Sequence, residues 1–320
     1  ITVYIHHELS YDHFHENVDR IHRLATHVKI GETEFTGAAV SAAVAKTLVE
    51  EVPEVEMAVR MTQRDNLLFR RGEIMLKEDK VLAADPDFFR MFSFVLEKGD
   101  PARVLQEPSS VVMTREAARR YFGEEDPLGR QITINDRNYA LTGIMEPVPA
   151  NSHMKFDIVY AYLSEPASKN EGWGEINAAT YFLLQENASV GAVDDKLTPL
   201  LKKYFGEYDL FQELGYTVEI FSQPMTDIHL HSHLRGEFEP NSDIKYLYIF
   251  GAIAVFILLI ACVNFMNLAT ARSSDRAREV GIRKTMGSAR SMLIGQFLGE
   301  SLLLSCFSTL LALGLAELLR

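Results

Sequence analysis

A chain of 320 residues, 47% of them hydrophobic, is long enough for more than one compact part and has ample material for a core. Its formal charge of -12 is unevenly placed: residues 272–290 carry six Lys or Arg against two acids, leaving about -15 before Ala271. So acidic a region lacks the clustered basic face that a phosphate backbone requires, so no nucleic-acid partner is expected, and Cys262 and Cys306, both in apolar runs, imply no disulfide framework.

Residues 1–5 form an apolar scrap, ITVYI, too short to span a bilayer and without the basic start of a signal peptide. They read as the end of a longer membrane helix. Tyr11, Phe14, Val18 and Ile21 recur at helical spacing, which predicts that this helix continues as a stalk over residues 1–23. Residues 24–30 then predict a strand, Val40, Val44 and Leu48 a helix stripe stopping before Pro53, and residues 55–62 another strand.

Residues 64–179 are β-rich, and their clearest element is a hairpin: Ile132 and Ile134 alternate with polar residues, residues 135–138 supply turn chemistry, and Tyr139 and Leu141 resume the alternation. A second β-α-β order follows in residues 181–185, the stripe Val193, Leu197, Leu200 and Tyr204, and residues 216–221. Ser189 is placed to cap that helix, and Pro199 inside it predicts a kink or a break. The predicted fold class is an α+β extracytoplasmic domain, two β-α-β units with a β-rich insertion, plus transmembrane α-helices.

In the run DIHLHSH, His229, His231 and His233 alternate, and on a strand they would project from one face as metal ligands do. The plainer alternative is a set of polar histidines near the membrane surface, so no metal site is expected and the three stand only as candidates. Neither HELSY, from His7, nor HENVD, from His15, has the second His that a zinc protease places a turn later. No catalytic constellation can be assembled from spacing, and no cofactor is implied.

Residues 246–271 are 26 consecutive uncharged residues, or about 39 Å of helix against a hydrocarbon core of about 30 Å. A membrane span over residues 244–271 follows, with Tyr246 and Tyr248 suited to the interfacial belt. A second span is predicted over residues 291–320. The basic segment 272–290 between them belongs in the cytoplasm by the positive-inside rule, which puts residues from about 8 to 245 on the other side. Asn264 and Asn267 lie one turn apart where amides can bond to another helix, and Glu300 must face protein or snorkel. The stretch GIRKTMGS is no phosphate loop, because Ser288 stands where a Lys would follow Gly287.

The run IACVNFMNLATARSSDRAREVGIRKTMGSARSMLIGQFLGESLLL resembles the FtsX-like permease domain of ABC transporters. ELSYDHFHENVDRIHRL, VVMTREAARRYFGEEDPLGRQI and QPMTDIHLHS are similar to the MacB-type periplasmic core domain. This resemblance implies a non-catalytic permease subunit of the bacterial inner membrane, homodimeric or pseudo-dimeric. It would contact membrane lipid, a cytoplasmic ABC ATPase on a separate chain, and a periplasmic or outer-membrane partner. It also implies mechanotransmission, in which ATP-driven motion reaches a periplasmic domain of residues 24–243, with porter-like residues 24–63 and 180–225 and a sabre-like insertion of residues 64–179. The ATPase would press on Arg276, Glu279, Val280, Gly281, Ile282, Arg283 and Lys284, with Gly287 at the helix end. Topological charge alone explains the arginines but not Val280, Ile282 and Met286 among them. Two rivals are a signalling receptor ectodomain, which needs a kinase or similar domain after the second span, and a membrane-tethered hydrolase.

Overall fold

A computed structural model describes residues 1–170, 172–287 and 290–318, and the chain divides into two units, Ile1–Tyr248 and Ile249–Arg320. Helix α1 (Thr2–Leu9) stops at Ser10, and residues 11–17 run through turns. The helical spacing of Tyr11, Phe14, Val18 and Ile21 is therefore not a helix: Asp12 has a φ of +62°, which a right-handed helix excludes, and Ile21 opens a strand.

Strands β1 (Ile21–Ile30) and β2 (Thr33–Gly37) form a hairpin. Helix α2 (Ala42–Glu51) begins at Ser41, whose hydroxyl accepts from the Ala43 N–H, and ends before Pro53. Then come β3 (Val55–Arg64), the hairpin of β4 (Leu67–Arg71) and β5 (Ile74–Glu78), β6 (Val81–Ala84), α3 (Phe88–Met91) and β7 (Leu96–Lys98). After β8 (Ser110–Thr114), Thr114 caps α4 (Arg115–Phe122) by accepting from the Ala117 N–H, and Gly123 at φ +60° ends that helix. The expected hairpin is β9 (Gln131–Ile134) with β10 (Arg137–Met145), and both turn residues, Asn135 and Asp136, have positive φ.

The rest of the first unit comprises β11 (Ile158–Ala161), β12 (Ala179–Leu184), α5 (Val190–Tyr204), α6 (Tyr208–Glu213), β13 (Thr217–Pro224) and α7 (Ile228–His231). Helix α5 runs unbroken past Pro199, with Val193 and Leu197 buried before the proline and Leu200 and Leu201 after it, so packing on both sides holds the line of the helix. Ser189 occupies its N-cap position without donating or accepting a side-chain cap bond.

The described strands join one mixed sheet in the order β13-β1-β12-β3-β6-β11-β8-β10-β9-β4-β5, with β2 added to β1 and β7 to β10. Pairing is parallel between β10 and β8 and between β11 and β6. Alternation along the strands sorts side chains by face: Val59, Leu82 and Tyr181 share a core with the phenylalanines around α3, whereas Phe182 and Leu184 pack with Leu24, Val44 and Leu197 beneath α2 and α5. A further core joins α4 to Val111, Ile132, Leu141 and Ile158. The fold class is α+β, as the residue patterns predict.

Helices α8 (Ile244–Thr285) and α9 (Arg290–Leu318) are predominantly apolar over Ile244–Leu268 and Ile294–Leu318, each long enough to cross a membrane. Phe256, Leu303 and Leu310 are exposed along them, an arrangement suited to lipid and costly in water. Helix α8 ends as Gly287 takes a φ of +91°.

Candidate functional site

The end of α1 with the residues just after it and the residues ahead of α8 meet near the start of β1, and they meet through buried polar side chains. Glu8, at the end of α1, accepts a hydrogen bond of 2.9 Å from His229 Nε2, and both side chains are buried. The ring of Tyr11 stacks on His229, covering the pair. His229 sits on α7, whose apolar neighbours Ile228 and Leu230 are buried, and its carbonyl accepts from the Ser242 N–H at 2.9 Å. Buried polar groups persist only where hydrogen bonds offset their desolvation, so this contact fixes α1 against α7 in one arrangement.

One turn further along the chain, the positive φ of Asp12 aims its carboxylate inward. Asp12 accepts from His153 twice, from Nδ1 at 2.8 Å and from the backbone N–H at 3.1 Å, and its own N–H donates to the Asn151 carbonyl at 2.8 Å. His153 Nε2 lies 2.8 Å from the Tyr181 hydroxyl on β12. Burial alone would raise the Asp12 carboxyl, but the charge and hydrogen bonds of His153 hold it below the usual carboxylate range. Burial raises the Tyr181 phenol well above its ordinary value, against the opposing charge of Arg23.

Arg23 completes the cluster from β1. Only 1% exposed, it forks onto Glu237, with Nη2 to Oε1 at 2.7 Å and Nη1 to Oε2, and it also donates to Ser232 Oγ at 2.7 Å and Gln223 Oε1 at 2.8 Å. Burial pushes the Glu237 carboxyl up, and the Arg23 guanidinium more than reverses this. Two parallel N–H donors on one carboxylate make this the most directional contact between β1 and the segment ahead of α8.

The three candidate histidines do not form the strand face that their alternation suggests. Pro224 ends β13, a short helical stretch follows, and the residues separate: His229 meets Glu8, His231 lies 3.7 Å from Asp227, and His233 lies 3.4 Å from Asp243. Among the described residues no three His, Cys, Asp or Glu side chains converge as metal ligands do. Glu8 and His15, met above in protease-like runs, lie in the buried network and in an aromatic box of Phe14, Phe92 and Phe94 respectively.

The basic segment lies at the end of α8. Val280 is half-buried, Gly281 is exposed, Ile282 and Met286 are strongly exposed one turn apart, and Arg283 donates to Gln296 Oε1 of α9 at 3.0 Å. The side chains of Arg276, Glu279 and Lys284 lie outside the described residues. Asn264, Asn267 and Glu300 are exposed on the two apolar helices.

Sequence reasoning missed the buried network, apart from His229, which it took for another purpose. Each partner is an ordinary polar residue in its own segment, and the separations of 141, 214 and 221 residues leave no local signal. The one available hint was density: His, Asp and Glu crowd residues 6–16, more than a solvent-facing helix needs.

A mixed-sheet α+β domain whose first and last segments are held together by buried polar contacts, followed by two long apolar helices with a basic segment between the apolar stretches, has the makeup of a membrane protein with a large extramembranous domain. The chain belongs to the family of MacB-like periplasmic core domains, whose model matches residues 1–200, and residues 251–320 match the FtsX-like permease C-terminal model. It is 23% identical over 233 residues to the macrolide export ATP-binding/permease protein MacB of Neisseria meningitidis, covering 72% of this chain and 33% of that protein. It is also 23% identical over 210 residues to the uncharacterized ABC transporter permease YknZ of Bacillus subtilis, covering 64% of this chain and 47% of that one. The chain thus spans about a third of the length of the MacB proteins it matches. In fold it is similar to a domain of a protein assigned as a permease from Porphyromonas gingivalis, with a TM-score of 0.59 at 24% identity, covering 73% of this chain and 98% of that one.

Proposed function

We propose that the chain is a non-catalytic permease subunit of an ABC transporter of the bacterial inner membrane. Residues from about 8 to 245 are periplasmic in this account, and a cytoplasmic ATPase on a separate chain drives it. ATP-dependent motion enters at residues 272–290, travels along α8, and moves the sheet domain through the clamp of Glu8, His229, Arg23 and Glu237. The single observation that carries this is the placement of the clamp: a buried ion pair of Arg23 with Glu237 and a buried hydrogen bond of His229 to Glu8 join the two ends of the domain rather than lining a reactive pocket. A rigid joint transmits displacement, and a loose one dissipates it.

The coupling surface rests on Ile282 and Met286, apolar side chains exposed beside basic residues in a segment too polar for the bilayer. Within the periplasmic part, residues 24–63 and 180–225 form the porter-like portion and residues 64–179 the sabre-like insertion. In keeping with that division, α2 and α5 cover one core with β1, β3 and β12 and α4 covers another with β8, β9 and β10, while a third core joins Val59 and Tyr181 to Leu82 and Phe88 across both portions. The cargo would be lipoproteins, peptides, antibiotics or a cell-wall regulator, with a dimeric permease, lipid, and a periplasmic or outer-membrane component as partners.

Co-purification tests the coupling assignment. Val280→Asp with Ile282→Asp removes apolar side chains from this segment, and an ABC ATPase that co-purifies with the parent chain should be lost from the purified complex. Retention of the ATPase at the wild-type ratio would overturn the assignment.

A further inference from the structure

Strand β5 ends the sheet, and among the described residues nothing pairs with its outer edge. Its exposed side chains are apolar: Ile74, Met75 and Leu76 are 39%, 54% and 39% exposed. An unprotected apolar edge is a template for another strand. The turn fixes which backbone groups are available. Gly72, with φ +56°, and Glu73 join Arg71 directly to Ile74, so Ile74 and Leu76 bond inward to β4, and the N–H and C=O of Met75 and Lys77 point outward. Neighbouring contacts agree, because the Leu68 carbonyl accepts from the Asn135 N–H on the far side of β4, leaving Phe69 and Arg71 to face β5.

The residues along this edge read Glu73, Ile74, Met75, Leu76, Lys77. Paired antiparallel with a copy of itself about Met75, the strand sets Met75 against Met75, Ile74 against Leu76, and Glu73 against Lys77 at both ends. Every element of that register is self-complementary. The outward backbone groups of Met75 meet their own equivalents, the apolar pair extends the face on which Phe69 is buried, and two opposite charges close each end. Neither Glu73 nor Lys77 has an ion-pair partner among the described residues. A one-residue slip would oppose outward to inward backbone groups, and a two-residue slip sets Met75 against Glu73 or Lys77 and leaves the charges unpaired, so backbone phase and charge together favour this register.

We propose that β5 is a homotypic interaction surface at which a second copy of this chain adds its own β5, joining two sheets edge to edge in an isologous pair. The inference is independent of the ATPase and of any cargo, and it assigns a contact between copies to the end of the sheet opposite β13.

The experiment uses the full chain in native membranes with Cys262→Ala and Cys306→Ala, and with Met75→Cys as a single reporter. Opposed Cβ atoms in this register lie about 5.5 Å apart, within reach of a short homobifunctional thiol reagent. A covalent dimer is expected. Adding Lys77→Glu sets like charges against each other twice and should cut the dimer yield about tenfold. Adding Glu73→Lys to that variant restores opposite charges in the reverse sense and should restore the yield. Because the rescue requires folded protein, loss through misfolding is distinguished from loss of pairing. Absence of Met75 cross-linking, or a yield indifferent to the reversal and the double exchange, would overturn the proposal, whether or not some other protein covers the edge.

Discussion

Glu8 of α1 and His229 of α7 share a buried hydrogen bond of 2.9 Å although 221 residues separate them. Removing one partner leaves the other buried and unsatisfied. Glu8→Leu should therefore destabilise the domain by about 1–3 kcal/mol, and Glu8→Leu with His229→Leu should recover most of that loss. Trp173, the sole tryptophan, stacks on Tyr204 and reports unfolding of the sheet domain in denaturant titrations of the full chain. Equal losses in the single and double variants would contradict the pairing.

Arg23 and Glu237 form the second half of the clamp. Arg23→Met strands a carboxylate that burial already penalises, and it should cost about 3–5 kcal/mol, more than any exposed ion pair such as Lys98 with Asp126. Arg23→Met with Glu237→Leu should regain at least half of this. The same denaturant titration measures both.

Stability should fall as acid is added, through His15. Burial holds this imidazole neutral, with its pKa lowered to about 3, while Ser93 N–H donates to its Nδ1 at 3.0 Å. In the unfolded chain the same group takes up a proton near pH 6.5, as a free histidine does. Between about pH 6.5 and 3 the unfolded state therefore binds the extra proton, and stability is lost at up to about 1.4 kcal/mol per unit. His15→Asn keeps an acceptor for Ser93 and removes the titration, so its stability profile should be flatter across that window. Some slope remains, because burial also lowers His22. A profile as steep as the parent's would contradict the assignment.

Local patterns carried the elements and failed at the joint. The hairpin at Asn135 and Asp136, the stripe of α2 and the apolar run of α8 depend on neighbours in the chain, so alternation, turn chemistry and length reveal them. Tyr11, Phe14, Val18 and Ile21 mimic a helix because their spacing is right, yet the bonds from His153 hold Asp12 in a left-handed conformation that breaks it. The alternating histidines likewise imitate a strand, but β13 ends at Pro224 and Ile228–His231 form a helical turn in which Ile228, His229 and Leu230 are all buried. Pro199 shows the reverse error: a local rule predicts a break, and tertiary packing of Leu197, Leu200 and Leu201 overrides it. The buried polar contacts of Glu8, His229, Arg23 and Glu237 had no periodicity to betray them.

The central claim, that nucleotide-driven motion passes through the clamp into the sheet domain, is tested most directly by distance. With Cys262 and Cys306 replaced, a spin label at Glu32, exposed in the turn between β1 and β2, reports the separation of two sheet domains in the complex with its ATPase. The distance distribution should change between the nucleotide-free and ATP-trapped states, and Glu8→Leu with His229→Leu should shrink that change while leaving the ATPase bound. Identical distributions in the two nucleotide states, with the ATPase present and active, would contradict the account.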